Sequence, residues 1–415
     1  MVNLFYDAYS VLCKVYFDGA YIDKALYSTN IEPLNKAKTV KICYGVLDKD
    51  VYLDYVLNVL CDRLPKQKIR LILKIAIYSI FFLDKKPFTV INSAVELTKK
   101  LGKSGNAGFV NAVLRRYSLS DITLPTDKTE KLSVLSSTPL FAVKKLIDEY
   151  GFETTEKILY FDENYNFVRF PTAVDGDKYL SLENYEYIKT PFPDLFSVKK
   201  LFKNDDFDNG IFTFQSIGSR AICDIVGSGK DLFDACAAPG GKTCALAEKF
   251  ERVVAAELYE HRAQLITQYC KRMRIGNVSV VTSDSSVYIK DFAERFDVVL
   301  CDVLCSGYGT VKDNPDIKLR RTGKDVSLIN NQQYAILSNA SKYVKRSGSI
   351  VYSTCSYFKE ENDDVIERFL TENDGFKAEK IASPLPSEKK KYGLQFLPHI
   401  SMGAGFYCAK LKRIK

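Results

Sequence analysis

Thiols and carboxylates occur at the ends of several apolar, strand-like stretches of this chain. Such stretches end at Glu257, Asp284 and Asp302, another ends at Cys355, and Cys305 follows Asp302 within a polar turn. Most lone cysteines pack as small apolar residues, whereas a thiol in a polar turn can ionise and react. Ligands of open α/β sheets bind outside the carboxyl ends of the strands. We therefore predict one crevice that collects these acids and the two reactive thiols.

A glycine-containing turn joins a further strand to a helix and has the composition of a ligand-binding loop. Gly240 and Gly241 let a ligand approach the backbone, and the free N–H groups at a helix start attract an anionic group. The turn matches neither of the common phosphate-binding patterns. Glu257 lies 17 residues after Gly240, where an acid commonly binds ribose hydroxyls, and Asp284 is placed to accept from an adenine amino group. These features predict a nucleoside ligand without pyrophosphate, a description that S-adenosylmethionine fits.

A single acid at such a position is most often the N-cap of a helix. Three acids at successive strand ends favour a nucleoside site instead. The predicted cofactor-binding residues are Cys236, Ala237, Ala238, Pro239, Gly240, Gly241, Lys242, Glu257, Arg262, Asp284 and Asp302.

The elements around these residues alternate between strand and helix from about residue 216 onward. Predicted strands cover residues 231–236, 252–258, 278–284, 296–302, 349–355 and 405–411. Predicted helices cover residues 242–250, 260–273, 330–344 and 360–370. This alternation is typical of a doubly wound α/β domain with a mostly parallel sheet.

The preceding part of the chain has a different pattern. Residues 1–125 are predicted to be all helix, because apolar residues recur at helical spacing, as in Ile69, Leu73, Ala76, Ile77 and Ile80. A helix start is predicted at Asn92-Ser93, with Glu96 at capping-box distance. Residues 126–215 are interrupted by prolines and are predicted to form a small α+β connector.

Composition narrows the class of protein. The chain has 415 residues, 46% of them hydrophobic and 27% charged, which excludes wholesale disorder. Eleven cysteines without CxxC pairs and only two histidines argue against a disulfide scaffold and against a zinc site. The longest apolar run, residues 71–83, contains a lysine and is too short to span a bilayer. We expect free thiols, a cytoplasmic location and no membrane partner. The net charge of +8 permits nucleic acid as a partner without requiring it.

Segments of the helical region resemble the NusB family, a helical bundle that occurs as an RNA-binding antitermination factor and as an appended domain. The segments that carry this resemblance are residues 66–70, 76–78, 92–97 and 109–116. The resemblance implies that residues 1–125 bind RNA. The alternative is that the apolar stripes are only the core of a bundle.

Motifs of the α/β region resemble the RNA cytosine-C5 methyltransferases. They are residues 234–243, 302–307, 314–318, 354–356 and 360–362. Residues 395–399 and 405–411, together with the NusB-like region, make the chain similar to the RsmB (Sun/Fmu) branch. The resemblance implies a NusB-like bundle (1–125), an α+β connector (126–215) and a Rossmann-like class I methyltransferase domain (216–415) that uses S-adenosylmethionine.

The resemblance also assigns roles to the predicted catalytic residues. Cys355 would be the nucleophile that adds to C6 of cytosine, which makes C5 enamine-like. Cys305 would assist product release, Asp302 would hold or protonate N3, and Lys242 would steady the base or the cofactor carboxylate. Lys242 is alternatively a solvated residue of a first helical turn. Water or Cys305 would remove the C5 proton. The family usually has proline where this chain has Leu304, so the turn that carries Cys305 is expected to be less constrained.

The implied substrate is 16S ribosomal RNA, unassembled or partly assembled, at cytosine 967 of that RNA, and the protein is expected to act as a monomer. The candidate RNA-binding residues are Arg115, Arg116, Arg169, Lys312, Lys318 and Arg320. Phosphate contacts from such residues would make binding strongly salt-dependent. The alternatives are a cytosine-C5 methyltransferase that acts on tRNA or another ribosomal site, and a non-catalytic RNA-binding scaffold.

Overall fold

The computed structural model describes residues 1–119 and 121–415, and the chain forms two compact units. The first, the helical unit, comprises Met1–Leu159 together with Val311–Arg321. The second, the α/β unit, comprises Tyr160–Thr310 and Thr322–Lys415. The predicted connector, residues 126–215, is thus divided, because its helices before residue 160 lie in the helical unit, whereas its later helices and its strands lie in the α/β unit.

The helices are α1 (Val2–Tyr16), α2 (Ile22–Ser28), α3 (Lys36–Asp48), α4 (Asp50–Leu60), α5 (Gln67–Phe81), α6 (Pro87–Lys100), α7 (Ala107–Leu119), α8 (Lys128–Leu135), α9 (Leu140–Tyr150), α10 (Phe152–Leu159), α11 (Gly176–Leu182), α12 (Asp205–Asp208), α13 (Ile217–Val226), α14 (Gly241–Ala247), α15 (Glu260–Arg272), α16 (Ile317–Arg320), α17 (Gly323–Ala340) and α18 (Asp363–Glu372). The strands are β1 (Phe167–Arg169), β2 (Tyr187–Lys189), β3 (Leu195–Val198), β4 (Thr213–Phe214), β5 (Gly229–Asp234), β6 (Phe250–Glu257), β7 (Val278–Thr282), β8 (Phe296–Asp302), β9 (Val344–Thr354), β10 (Phe376–Glu379), β11 (Glu388–Lys389), β12 (Gly393–Phe396) and β13 (Phe406–Arg413).

Helix α5 lies at the centre of the helical unit. Its residues from Leu71 to Ser79 are all buried, in contact with α1, α3, α4, α6 and α7. The predicted helix start at Asn92-Ser93 is wrong. Helix α6 begins at Pro87, whose fixed φ suits a first helical position. Ser93 lies inside the helix, and its hydroxyl donates to the Thr89 carbonyl at 2.8 Å.

The short segment Val311–Arg321 belongs to the helical unit although it follows a strand of the α/β unit. The Lys318 ammonium donates to the backbone carbonyl and the carboxylate of Asp48, at 2.8 and 3.0 Å. Arg320 donates to the carbonyls of Gly19 and Ala20. Leu319 packs against the apolar core of the unit. These contacts give the segment a structural role within the helical unit.

The α/β unit contains two sheets. The smaller sheet is antiparallel, in the order β2-β3-β1-β4. The larger sheet has the order β11-β12-β13-β9-β8-β5-β6-β7, with β10 also paired to β13. Strands β7, β6, β5, β8 and β9 are parallel, whereas β13 is antiparallel to β9. The predicted α/β fold is confirmed, with a sheet that is mixed because β10 to β13 extend it in antiparallel fashion.

The parallel strands bring their carboxyl ends to one edge of the large sheet. Asp302 of β8 pairs with Ser353 of β9, and Glu257 of β6 pairs with Thr282 of β7. The side chains that follow these strand ends therefore lie at the same edge. Within residues 1–119 and 121–415, none of the helices combines the length and apolar character needed to cross a membrane.

Candidate active site

Two cysteine thiols lie side by side at the carboxyl edge of the large sheet. Cys305 follows β8 and Cys355 follows β9, and their Sγ atoms are 3.0 Å apart. Both are free thiols and both are half-buried. The hydrogen bond between the sulfurs lowers the pKa of Cys355 and raises the pKa of Cys305. The arrangement favours a thiolate at Cys355, which is the form that acts as a nucleophile.

A lysine and an aspartate lie beside this pair. The Lys242 ammonium, from the first turn of α14, is 2.7 Å from Oδ2 of Asp302. Burial disfavours the charged ammonium, but the charge and hydrogen bond of Asp302 outweigh burial and raise the pKa of Lys242. Oδ1 of Asp302 accepts from the Ser353 hydroxyl at 2.7 Å. The carboxylate is therefore fixed from two sides. Lys242 is not the solvated residue of the alternative interpretation, since it is largely buried.

The predicted cofactor-binding turn has the backbone that such a loop needs. Gly240 is the N-cap of α14 and has φ +108°, a conformation that residues with a side chain rarely adopt. A Cβ at this position would lie only 3.2 Å from the Cα of Ile266. The preceding residues of the turn run from the half-buried Cys236 to the exposed Pro239. Glycine is therefore required where the turn enters α14.

Two predicted acids follow at neighbouring strand ends. Glu257 is buried at the end of β6, accepts from the backbone N–H of Tyr259 at 3.2 Å and lies 3.3 Å from the Arg262 guanidinium. Asp284 follows β7, is exposed and accepts from the N–H and hydroxyl of Ser286. Carboxylates accept hydrogen bonds from ribose hydroxyls and from an adenine amino group. The two acids therefore fit a nucleoside cofactor.

Residues that the sequence motifs did not single out individually support the two thiols. Glu361 accepts from both the backbone N–H and the hydroxyl of Ser306, and also from the Ser356 hydroxyl. Gln333 of α17 donates to the carbonyl of Leu304 at 2.9 Å. The turn that lacks the usual proline is therefore held by hydrogen bonds. Glu361 lies within a motif that carried the family resemblance, but no local sequence pattern indicated Gln333.

The predicted RNA-binding residues occupy different environments. Arg169 is buried and pairs with Glu248 at 2.6 Å. Lys318 and Arg320 have the partners within the helical unit described above. Arg116 is exposed and donates to the Leu60 carbonyl at 2.9 Å. Arg115, in the same helix as Arg116, is exposed, and so is Lys312. Arg169 and Lys318 are thus buried with protein partners, whereas Arg115, Arg116 and Lys312 are exposed. Across residues 1–119 and 121–415, no group of histidine, cysteine and acidic side chains is arranged to hold a metal ion.

Two models of known protein families match this chain, and one of them covers the residues of the candidate site. Residues 226–412 match the family model of the 16S rRNA methyltransferases RsmB/F, and residues 7–118 match the model of the NusB family. The α/β part of the chain is similar to the RsmB/F methyltransferases. The RsmB/F match covers the glycine turn, both thiols, Lys242 and Asp302, and the NusB match covers most of α1 to α7.

The similarity to curated relatives extends over most of the chain. The chain is 29% identical to the "Probable ribosomal RNA small subunit methyltransferase B" of Bacillus subtilis, over 98% of each chain. It is 28% identical to ribosomal RNA small subunit methyltransferase B of Pasteurella multocida, over 90% of this chain and 87% of that one. Among solved structures, PH0851 is similar over 100% of this chain and 99% of its own, at 21% identity and a TM-score of 0.84. NSun6 of Pyrococcus horikoshii, solved with SFG, covers 68% of this chain and 100% of its own, at 19% identity and a TM-score of 0.60. PH0851 shares the fold of the whole chain, and NSun6 shares the fold of 68% of it.

Proposed function

We propose that this protein methylates C5 of a cytosine in 16S ribosomal RNA, with Cys355 bonded covalently to C6 of the base. The observation that carries the proposal is the pair of thiols, 3.0 Å apart, beside the Lys242–Asp302 ion pair. A pyrimidine C5 is a weak nucleophile, and covalent addition at C6 turns one hard step into easier ones. Two thiols at adjacent strand ends suit an addition and its later reversal.

The chain's own residues perform the base chemistry in this proposal. The Cys355 thiolate donates an electron pair to C6, the C5–C6 double bond moves to C4–C5, and N3 takes up a proton from water. The Asp302 carboxylate then accepts a hydrogen bond from this N3–H. S-adenosylmethionine, when bound, supplies the methyl group. A water, or Cys305 in its thiolate form, then takes the proton from C5. The C6–sulfur bond breaks as the C5–C6 double bond returns, and the proton at N3 goes back to water. Cys355 leaves as a thiolate, so the enzyme is regenerated.

The residues proposed to hold the cofactor are those of the glycine turn and the neighbouring strand ends. The backbone at Gly240 and Gly241 would receive the carboxylate end, Glu257 the ribose hydroxyls and Asp284 the adenine amino group. Arg262 would orient Glu257, since its guanidinium lies 3.3 Å from that carboxylate.

The RNA substrate is proposed from the names of the relatives and from the NusB-like helical unit. We propose cytosine 967 as the target, in 16S RNA before assembly is complete, and a monomer in the cytoplasm as the acting species. The target base must leave any stack to reach Cys355. Exposed cations such as Arg115 would contact phosphates in a salt-dependent manner.

The test is methyl transfer to defined RNAs followed by nucleoside analysis. Purified protein is incubated with radiolabelled S-adenosylmethionine and unmodified 16S RNA, 30S particles or tRNA, and the digested RNA is analysed for 5-methylcytosine. We expect labelled 5-methylcytosine in free 16S RNA with the wild type and none with Cys355→Ala. Label in tRNA alone would show that the substrate is tRNA and not 16S RNA. Absence of label from every RNA would refute the proposal. Cofactor binding without any transfer would favour the RNA-binding scaffold.

A further inference from the structure

Glu361 is a fully buried carboxylate that contacts the loops of both thiols. Its Oε1 accepts from the Ser306 backbone N–H at 2.7 Å, and its Oε2 accepts from the Ser306 hydroxyl at 2.6 Å and from the Ser356 hydroxyl. Each serine directly follows one of the paired cysteines, and the two hydroxyl oxygens are 3.1 Å apart. One side chain thus joins the residue after Cys305 to the residue after Cys355.

Further contacts fix Glu361 and the Cys305 turn together. Gln333 donates to Oε1 of Glu361 at 3.2 Å and to the Leu304 carbonyl at 2.9 Å, so its amide spans the turn that carries Cys305. The Tyr352 hydroxyl donates to the backbone carbonyl of Glu361 at 2.6 Å. Both serines and Glu361 are at most 1% exposed. Neutral donors therefore surround the carboxylate inside a packed region, where water cannot replace them.

We propose that Glu361 is a positioning residue that sets the separation of the Cys305 and Cys355 thiols. Its consequence for catalysis rests on the proposed function, whereas its effect on the thiol separation does not. The carboxylate accepts at both oxygens at once. In Glu361→Gln an amide NH₂ group at the Oε2 position would donate to the two serine hydroxyls instead of accepting from them. One hydroxyl hydrogen could then go to the other serine, 3.1 Å away, but the second would lose its acceptor. A buried donor without a partner is unfavourable, so the two cysteine loops must separate or rotate.

The direct test measures how readily the two thiols join. Diamide takes up two electrons and two protons as a pair of thiols becomes a disulfide, and peptide mapping by mass spectrometry follows the Cys305–Cys355 link. We expect this link to form ~10–100-fold more slowly in Glu361→Gln than in the wild type, because an ångström of displacement has effects of that size on reactions between fixed groups. The matched control is Glu367→Gln, which removes a half-exposed carboxylate of α18 that pairs with Lys391.

If Glu361→Gln does not fold, a second variant tests the same proposal. In Ser306→Ala/Ser356→Ala the hydroxyl contacts are lost, while the carboxylate keeps the Ser306 N–H, and we expect slower linking here too. A linking rate within twofold of the wild type in either folded variant would overturn the proposal. In methyl transfer, Glu361→Gln should lower kcat by ~100-fold and leave KM for RNA and the cofactor Kd within twofold. If the wild type transfers no methyl group, the proposed function fails, and the linking rates still decide the role of Glu361.

Discussion

The ammonium nitrogen of Lys242 lies 2.7 Å from Oδ2 of Asp302, and the other oxygen of that carboxylate accepts from the Ser353 hydroxyl. The contact joins the first turn of α14 to the end of β8. It brings a cation and an anion next to the paired thiols, and the anion raises the pKa of the lysine despite burial. Lys242 therefore stays charged across the neutral pH range.

Asp302→Asn should abolish most of the activity without unfolding the protein. The amide oxygen can still accept from Ser353, but the charge that faces Lys242 and the group that holds N3 of the base are lost. We expect kcat to fall by ~10²–10⁴-fold, the range for a positioned proton-transfer group. Asp297→Asn is the control, because Asp297 lies at the opposite end of the same strand. Steady-state methyl transfer is the measurement, and an Asp302→Asn enzyme within threefold of wild-type kcat would remove Asp302 from the mechanism.

Glu257→Gln should weaken cofactor binding. A hydrogen bond to a charged acceptor contributes about 1.5–3 kcal/mol, so Kd for S-adenosylhomocysteine should rise ~10–150-fold in isothermal titration calorimetry. Glu251→Gln changes an exposed carboxylate at the other end of β6 and should leave Kd unchanged. Equal affinity in the two variants would show that Glu257 does not contact the nucleoside.

Asp234 should make the stability of the α/β unit depend on pH. Burial raises the pKa of its carboxyl from 3.8 to about 6, although a 2.7 Å hydrogen bond from Thr243 opposes the shift. The folded state therefore prefers the neutral acid. This contribution to stability is fully present below the unfolded pKa and is lost as the pH rises through about 6.

Asp234→Asn has no carboxyl group that titrates at this position. Its free energy of unfolding, relative to that of the wild type, should therefore rise by ~3 kcal/mol from acidic to neutral pH. Calorimetric unfolding midpoints at about pH 4 and pH 7 measure the gain. Asp374→Asn, which changes a carboxylate that is 88% exposed, should show no such trend. If the unfolding midpoints of Asp234→Asn and the wild type differ by the same amount at both pH values, the pKa of Asp234 is not raised by folding.

The positions of many site residues can be predicted from the sequence, because the last residue of each apolar run predicts the end of a strand. Parallel pairing then requires Glu257, Asp302 and Cys355 to meet at one edge, and the structure has the corresponding strands there. Alternation along β8 likewise predicts that Cys301 faces the core and Asp302 does not, and Cys301 is fully buried. Local periodicity is enough for these features.

Contacts between residues distant in sequence could not be read in this way. Gln333 reaches Leu304 across 29 residues, and Arg169 finds Glu248 across 79, so neither partner is visible in a local pattern. Lys318 looked like a phosphate-binding cation, yet it is a buried partner of Asp48, 270 residues earlier. The predicted start of α6 is wrong for a different reason, because Pro87 at the first helical position is a stronger signal than a serine with a glutamate three residues later.

The covalent bond between Cys355 and RNA is the central claim, and trapping it is the most direct measurement. Each variant is incubated with S-adenosylmethionine and unmodified 16S RNA and then run on a denaturing gel. If Cys305 assists release, Cys305→Ala should accumulate an RNA–protein adduct, and Cys305→Ala/Cys355→Ala should form none. An adduct that persists in the double variant, or no adduct in Cys305→Ala, would contradict the account.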